Sequence, residues 1–280
     1  MTVSQEISEI RRRLAGVYDP RELQAVIYLI FSYVKGWSRV DVFMNEGKEL
    51  SDFSKKEIDS IVDRLLLGEP IQYITGEARF YGMDFKVRPG VLIPRPETAE
   101  LVDWIVDDNR RDDLSVLDIG TGSGCIAIAL DRTLPFASVT AVDFSDTALA
   151  VAEENARLLK AKVKFLKADM YSWMPAAGSL DIVVSNPPYI APDEEEAMEV
   201  RVKDFEPREA LFVDGADPIR PYRRISDIAR QGLRPGGALY LELNPRFADE
   251  IRKMLVADGW HDVELRLDSY GKKRMMKACI

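Results

Sequence analysis

Apolar positions along the chain change their period twice. From Val3 to Leu14 they recur at helical spacing. Asp19-Pro20, an N-cap followed by proline at the first helical position, opens a second such segment through Tyr33. Ser38 and Ser54 read as further caps, and Ser54-Lys55-Lys56-Glu57 matches a capping box ahead of Ile58, Ile61, Val62 and Leu65. Gly68-Glu69-Pro70 stops the run, so residues 1–70 predict a small helical bundle. Over residues 71–95 the pattern shortens. Ile71–Gly76 and Ala78–Val87 read as short strands around glycines, which suggests a hairpin linker. In Leu92-Ile93-Pro94-Arg95-Pro96-Glu97-Thr98 the prolines hold the backbone extended, and a helix starts at about Glu97.

From Ser115 strand and helix patterns alternate. Strands are expected at Ser115–Ile119, Ser138–Val142, Lys162–Lys167, Leu180–Ser185 and Gly237–Leu243. Helices are expected from Cys125 to Leu130, Asp146 to Lys160, Ile219 to Gln231 and Arg246 to Asp258. Val263–Leu267 and Arg274–Ala278 would be closing strands around Tyr270-Gly271. Such alternation predicts an α/β fold with a doubly wound, mostly parallel sheet over residues 96–280.

Two strand ends carry candidate chemistry. Val116-Leu117-Asp118-Ile119 runs into Gly120-Thr121-Gly122-Ser123-Gly124, a turn whose glycines let the backbone approach a ligand closely. The next strand ends on Asp143, about 20 residues on, where a carboxylate would hold ribose hydroxyls. Asp169 and Met170 follow the third strand, where an adenine could sit. The loop and Asp143 alone leave a dinucleotide open, although the spacing is GxGxG, not GxGxxG. At the fourth strand stands Asn186-Pro187-Pro188-Tyr189. Two prolines end a strand abruptly and leave a stiff corner at its carboxyl end. An amide, fixed carbonyls and an aromatic face suit a flat group bearing an NH2.

Composition narrows the chemistry. The 280 residues carry 38 Lys and Arg against 47 Asp and Glu, a net charge of −9. The first 75 residues hold 10 basic against 12 acidic side chains, so neither part has the basic excess that gripping a phosphate backbone requires. The single histidine, His261, excludes His-based triads and His-rich metal sites, and its Gly259-Trp260 turn suggests a surface role. Two cysteines, Cys125 and Cys279, offer neither a disulfide framework nor zinc-ligand spacing, and suggest a reducing, cytoplasmic setting. No apolar run reaches transmembrane length, and Met1–Arg13 lacks the apolar core of a signal peptide.

Together, the glycine turn, Asp143 and Asn186-Pro187-Pro188-Tyr189 resemble S-adenosylmethionine-dependent methyltransferases that act on amino or amide nitrogens. Ile93-Pro94-Arg95-Pro96-Glu97-Thr98, Ile190 after the Asn-Pro-Pro-Tyr corner, Phe205-Glu206-Pro207 and the helical N-terminal part extend the likeness to the release-factor glutamine methyltransferase family, over essentially the whole chain. The resemblance implies a seven-stranded Rossmann-like domain and methylation of the glutamine of the Gly-Gly-Gln motif in class I peptide-chain release factors. It implies S-adenosylmethionine as cofactor, S-adenosylhomocysteine as product, no metal, and a monomer without direct nucleic-acid or membrane binding. Asn186 and the Pro187 carbonyl would accept the substrate N–H groups, with Pro188 stiffening the corner and Tyr189 packing on the amide. Gly120, Thr121, Gly122, Ser123, Gly124, Asp143, Asp169 and Met170 would hold the cofactor, with Asn186 beside it. Arg95 and Glu97 would close its pocket or meet the peptide, and Asp118 would face the cofactor's amino group or serve the strand end. Residues 1–70 would recognise the substrate protein.

One departure is Glu242-Leu243-Asn244-Pro245, where the family usually has Glu-hydrophobic-Gly; no chemistry is placed there. The acidic run Asp193-Glu194-Glu195-Glu196 reads as a solvated helix start. Rival readings are glutamine methylation of a ribosomal protein, adenine-N6 methylation of nucleic acid, and a binding module that has lost catalysis. The second needs a strand-gripping surface that the charge balance argues against.

Overall fold

Helices begin where a side chain satisfies the backbone N–H groups of the first turn. In a computed structural model, which describes residues 1–215 and 217–280, this rule shapes the first of two compact units, Met1–Gly76 with Glu199–Phe205. Thr2 caps Val3–Arg13, Asp19 caps Pro20–Lys35 and Ser38 caps Arg39–Met44. The fourth helix, Asp52–Leu66, corrects the expected box: its cap is Ser51, whose hydroxyl accepts from the Ser54 N–H at 3.2 Å. Ser54 is instead buried in the first turn, where its own hydroxyl oxygen accepts from Ser51 Oγ at 3.0 Å. Ile71–Thr75 is likewise a short helix and not a strand. Gly76, at φ 72°, ends it in the left-handed region, and Ile71 and Ile74 pack into the apolar core of the helical unit with Ile27, Ile30 and Ile58. Arg201, from the second segment of this unit, pairs with Glu22 at 2.8 Å and stacks over the Tyr18 ring at 4.3 Å.

The second unit, Glu77–Met198 with Glu206–Ile280, starts with an antiparallel hairpin, β1 (Glu77–Phe80) and β2 (Met83–Lys86). The main sheet contains β3 (Ser115–Ile119), β4 (Ser138–Asp143), β5 (Lys164–Lys167), β6 (Leu180–Ser185), β7 (Leu233–Glu242), β8 (His261–Leu267) and β9 (Lys273–Cys279). Its order is β5-β4-β3-β6-β7-β9-β8, with β9 antiparallel to both neighbours and all other pairings parallel. This is the seven-stranded, mostly parallel sheet expected.

Continuous apolar strands bury both faces of the sheet. Val116, Ile182, Val184 and Tyr240 join one core with Trp104, Ile126 and Leu130. Their sequence neighbours Leu117, Val183, Leu239 and Leu241 join the other, with Tyr222, Ile225, Ile251 and Leu255. The helices Pro96–Asp108 and Cys125–Thr133 supply the first core; Arg220–Gly232 and Ala248–Ala257 supply the second. Successive strands run outwards from β3 to β4 and β5, then the chain returns to place β6 on the other side of β3. Loops leaving β3 and β6 therefore diverge, and open α/β sheets bind ligands in the crevice formed there.

Candidate active site

A cavity of about 320 Å³ lies at the carboxyl ends of β3, β4, β5 and β6, within the size range of small-molecule sites. Its wall includes Gly120, Thr121, Gly122 and Ser123 from the β3 turn, Asp143 from β4, Asp169 and Met170 after β5, and Asn186, Pro187 and Pro188 after β6. Pro94, Arg95 and Thr98 line it from the extended segment and the helix that follows. Eleven of the proposed site residues thus face one space.

The β3 turn is held from below and behind. Gly120 and Thr121 donate their N–H groups to the Val142 carbonyl at 2.9 and 3.1 Å. Asp143 braces the turn sideways, one carboxylate oxygen accepting from Gly122 N and the other from Ser145 N, both at 2.9 Å. Burial pushes the Asp143 carboxyl above the usual aspartate range, and these N–H bonds oppose the shift. Gly122 has φ 56° with open space where a Cβ would stand, so the turn leaves room for a ligand against its backbone. Buried Asn155 ties the same turn to the hairpin: its amide donates to Ser123 O at 2.9 Å and Lys86 O at 3.0 Å, and accepts from Lys86 N at 2.7 Å.

Three of the proposed residues lie off this wall. Gly124 is absent from the cavity wall; it sits at φ 82° before the helix Cys125–Thr133, and a Cβ there would stand 3.1 Å from both Ala152 Cβ and Ile128 Cδ1. It serves helix packing. Gly124→Ala is therefore expected to destabilise the fold by about 2 kcal/mol through strain and overpacking. Thermal denaturation checks this, and an unchanged midpoint would contradict the packing role. Glu97 also lies off the wall, in the first turn of Pro96–Asp108, and its neighbour Thr98 takes the inward position. Tyr189 is the third. Its ring packs against the second sheet core, its hydroxyl donates to Glu242 Oε1 at 3.2 Å, and it is not part of the cavity wall.

Asp118 is fully buried behind the turn and accepts from the Thr121 hydroxyl at 2.7 Å; burial raises its pKa to about 7. It is absent from the cavity wall, and its visible work is at the strand end.

Sequence reasoning left unassigned the residues that hold the Asn186 corner. Thr98 Oγ1 accepts from Asn186 Nδ2 at 3.3 Å and donates to Glu242 Oε2 at 2.6 Å. Glu242 ends the apolar strand Leu239-Tyr240-Leu241, and that lone acid on a buried strand was the available signal. Burial raises its pKa, opposed by the Thr98 bond and by the Arg274 charge. The departing loop is part of the same support. Asn244 Nδ2 donates to the Tyr189 carbonyl at 3.0 Å and to Glu194 Oε2 at 2.8 Å, while its Oδ1 accepts from Arg246 N at 3.0 Å. The acidic run is accordingly engaged, and is not merely solvated: besides Glu194, Asp193 pairs with Arg246 and Glu195 with Arg208, each at 2.8 Å. Buried Glu206 accepts from Ile93 N at 3.0 Å and pairs with Arg95, fixing the Pro94-Arg95 segment of the wall.

An adenosyl cofactor fits this donor set. Glycine backbone and an apolar wall suit the flat and aliphatic parts, and a carboxylate at the end of β4 suits vicinal hydroxyls. Among the described residues, His261, Asp262 and Cys279 form the one group of potential metal ligands, and they belong to β8 and β9, not to the strand ends around this cavity.

Comparison with known proteins agrees with the geometry. Residues 6–76 match the PrmC N-terminal domain model, and residues 98–205 match the methyltransferase small domain model. Among solved structures, a 16S rRNA N2 G1207 methyltransferase of T. thermophilus aligns with a TM-score of 0.52 at 20% identity, covering 72% of this chain and 49% of that one. A methyltransferase of Pyrococcus furiosus aligns with a TM-score of 0.50 at 18% identity, covering 78% and 96%. These two likenesses show the fold. Curated relatives are nearer. The release factor glutamine methyltransferase of Bacteroides thetaiotaomicron is 47% identical over 270 residues, 96% of this chain and 97% of its own. That of Flavobacterium psychrophilum is 37% identical over 282 residues, 99% of each chain. That of Streptococcus pneumoniae is 38% identical over 281 residues, 99% of this chain and 98% of its own. Similarity of this extent, spanning the helical unit, the glycine turn and the Asn-Pro-Pro-Tyr corner alike, means that the chain belongs to the release factor glutamine methyltransferase family.

Proposed function

We propose that the protein methylates the side-chain amide nitrogen of the glutamine in the Gly-Gly-Gln motif of class I peptide-chain release factors, and so modulates translation termination. The observation that carries this reading is that Asn186, Pro187 and Pro188 stand on the same cavity as the glycine turn and Asp143. When bound, S-adenosylmethionine supplies an already activated methyl group on sulfur and leaves as S-adenosylhomocysteine.

The chain's own residues do the positioning. An amide nitrogen is a poor nucleophile because its lone pair is delocalised into the carbonyl. Asn186 Oδ1 and the Pro187 carbonyl accept the two N–H groups, aim the lone pair at the methyl and stabilise the positive charge that develops on nitrogen. Holding the reacting groups in line can lower a barrier by about 7–11 kcal/mol. The proton can leave afterwards, so no general base is required in the transition state. Gly122 and Asp143 take the cofactor's backbone and ribose contacts, and Met170 meets the adenine. Arg95, pinned by Glu206, closes the wall above the site.

The test is methyl transfer from labelled S-adenosylmethionine to a purified class I release factor. A single methyl on the Gly-Gly-Gln glutamine, located by mass spectrometry and lost when that glutamine is replaced, is the expected result. Cofactor binding without transfer to the factor would reject this substrate and favour a glutamine of a ribosomal protein.

A further inference from the structure

Thr98 and Glu242 have no role in the reading above, yet both are buried and are linked through hydrogen bonds to the residue that receives the substrate nitrogen. A hydroxyl owns one proton. With Glu242 ionised, the state the Arg274 charge favours, its carboxylate only accepts, and at 2.6 Å Thr98 Oγ1 spends that proton on Glu242. Toward Asn186 it then offers lone pairs alone. The Asn186 amide is forced to present its NH2 to Thr98, as it does at 3.3 Å, and its carbonyl oxygen is left for the other side. A flipped amide would set oxygen against oxygen at Thr98 and offer N–H groups to a substrate that brings N–H groups of its own. The second Glu242 oxygen is committed as well, because it accepts from the Tyr189 hydroxyl at 3.2 Å.

We propose that Glu242 is a positioning residue for methyl transfer: acting through the Thr98 hydroxyl, it sets which end of the Asn186 amide faces the reacting nitrogen. This rests on the reading of Asn186 as the acceptor for the substrate amide. The polarity runs along a chain of three groups, from a carboxylate that can only accept, through a hydroxyl that can do either, to an amide that must choose.

A near-isosteric change can reverse that polarity. In Glu242→Gln, the Tyr189 hydroxyl continues to donate and draws the new amide oxygen to its side. The new NH2 then turns to Thr98 and donates. The Thr98 proton is released to bond Asn186 Oδ1, and the Asn186 amide turns over. Turnover is expected to fall about 10- to 100-fold, the scale of one mis-set hydrogen bond to a developing charge. Affinity for S-adenosylmethionine by calorimetry, KM for the release factor and the melting temperature should stay close to wild type. Thr98→Val, which removes the hydroxyl at constant shape, should lose turnover similarly, and Thr98→Ser should keep it. Adding Tyr189→Phe to Glu242→Gln frees the new amide to present its oxygen to Thr98, and should recover part of the loss. A simple packing role for Glu242 predicts a further loss in that double variant.

Wild-type protein and Asn186→Ala are assayed alongside. Full turnover in Asn186→Ala would overturn the reading of Asn186 and this proposal with it. Loss in Asn186→Ala with wild-type turnover in Glu242→Gln would overturn the proposal alone. So would a loss in Thr98→Ser as deep as in Thr98→Val, or a double variant weaker than Glu242→Gln.

Discussion

Asn186→Ala is expected to lower turnover by about 100- to 1,000-fold, about 3–4 kcal/mol of transition-state stabilisation, the scale of losing one fixed group aimed at developing charge. The side chain stands on a strand end that is held on both sides. Ser185 before it is buried and donates to the Ile119 carbonyl at 2.7 Å, and the two prolines after it remove the backbone's freedom. Its Nδ2 is taken by Thr98, so Oδ1 is the end that would meet substrate. Charge appears on the substrate nitrogen only as the methyl moves, so the interaction strengthens in the transition state and its loss falls on kcat. Affinity for S-adenosylmethionine should change by no more than about threefold, since the proposed bond is to the substrate nitrogen. Single-turnover rates with saturating cofactor, beside calorimetric affinity, separate the two. Turnover within a few-fold of wild type would reject the assignment. Asn186→Asp should also be impaired, because the Thr98 lone pairs would then face a carboxylate with nothing to donate.

What the sequence made legible follows from where information is local. β3 and β6 were bounded correctly at Ser115–Ile119 and Leu180–Ser185 because each is an apolar run cut short by glycine or proline. Ile71–Thr75 misled for a local reason too. Its β-branched and aromatic residues suit a strand, and five residues are too few to separate a period of two from 3.6. Tertiary packing decided: Ile71 and Ile74 share one helical face in the core of the first unit, with Pro70 and left-handed Gly76 at the two ends. The Ser51 cap was missed because Ser54 fits the capping pattern in sequence, and only burial of Ser54 shows otherwise.

The candidate site divides in the same way. Residues that line the cavity lie in turns with strong backbone signatures, so Gly120, Asp143 and Asn186 stood out. Residues that hold them were silent. Thr98 and Glu242 are 144 positions apart in sequence and share a 2.6 Å hydrogen bond. Glu206 and Ile93 are 113 apart. No periodicity or spacing encodes such pairs, because the sheet order that brings them together is a property of the whole chain. Asn244 shows the cost of reading a motif by letters alone. It departs from the usual glycine, yet its side chain supplies the bonds to Tyr189 and Glu194 that make the loop part of the corner.

Asp143→Ala is expected to weaken S-adenosylmethionine binding by about 100-fold, a little under 3 kcal/mol, with hydrogen bonds to a charged group contributing about 1.5–3 kcal/mol each. The carboxylate would take the ribose hydroxyls, and in the free protein it already braces Gly122 and Ser145 through their N–H groups. Alanine removes both services, so the glycine turn loses its fixed shape along with the ligand contact. Asp143→Asn keeps one acceptor for the turn and should fall between alanine and wild type. The pH dependence carries a sign. Burial, outweighing the N–H bonds, holds the Asp143 carboxyl above the ordinary aspartate range, so ionisation is costly in the folded protein. Its stability contribution is therefore largest at low pH and is lost as pH rises through the interval between the unfolded and the raised folded value. Cofactor affinity runs the other way. Hydroxyl groups donate to the ionised carboxylate, so affinity should drop as pH falls through the raised value, and binding near that pH should release protons. Calorimetry in two buffers of different ionisation enthalpy measures that release, and Asp143→Asn should abolish its Asp143 component. Unchanged affinity in Asp143→Ala would reject the ribose role and leave the carboxylate as a brace for the turn.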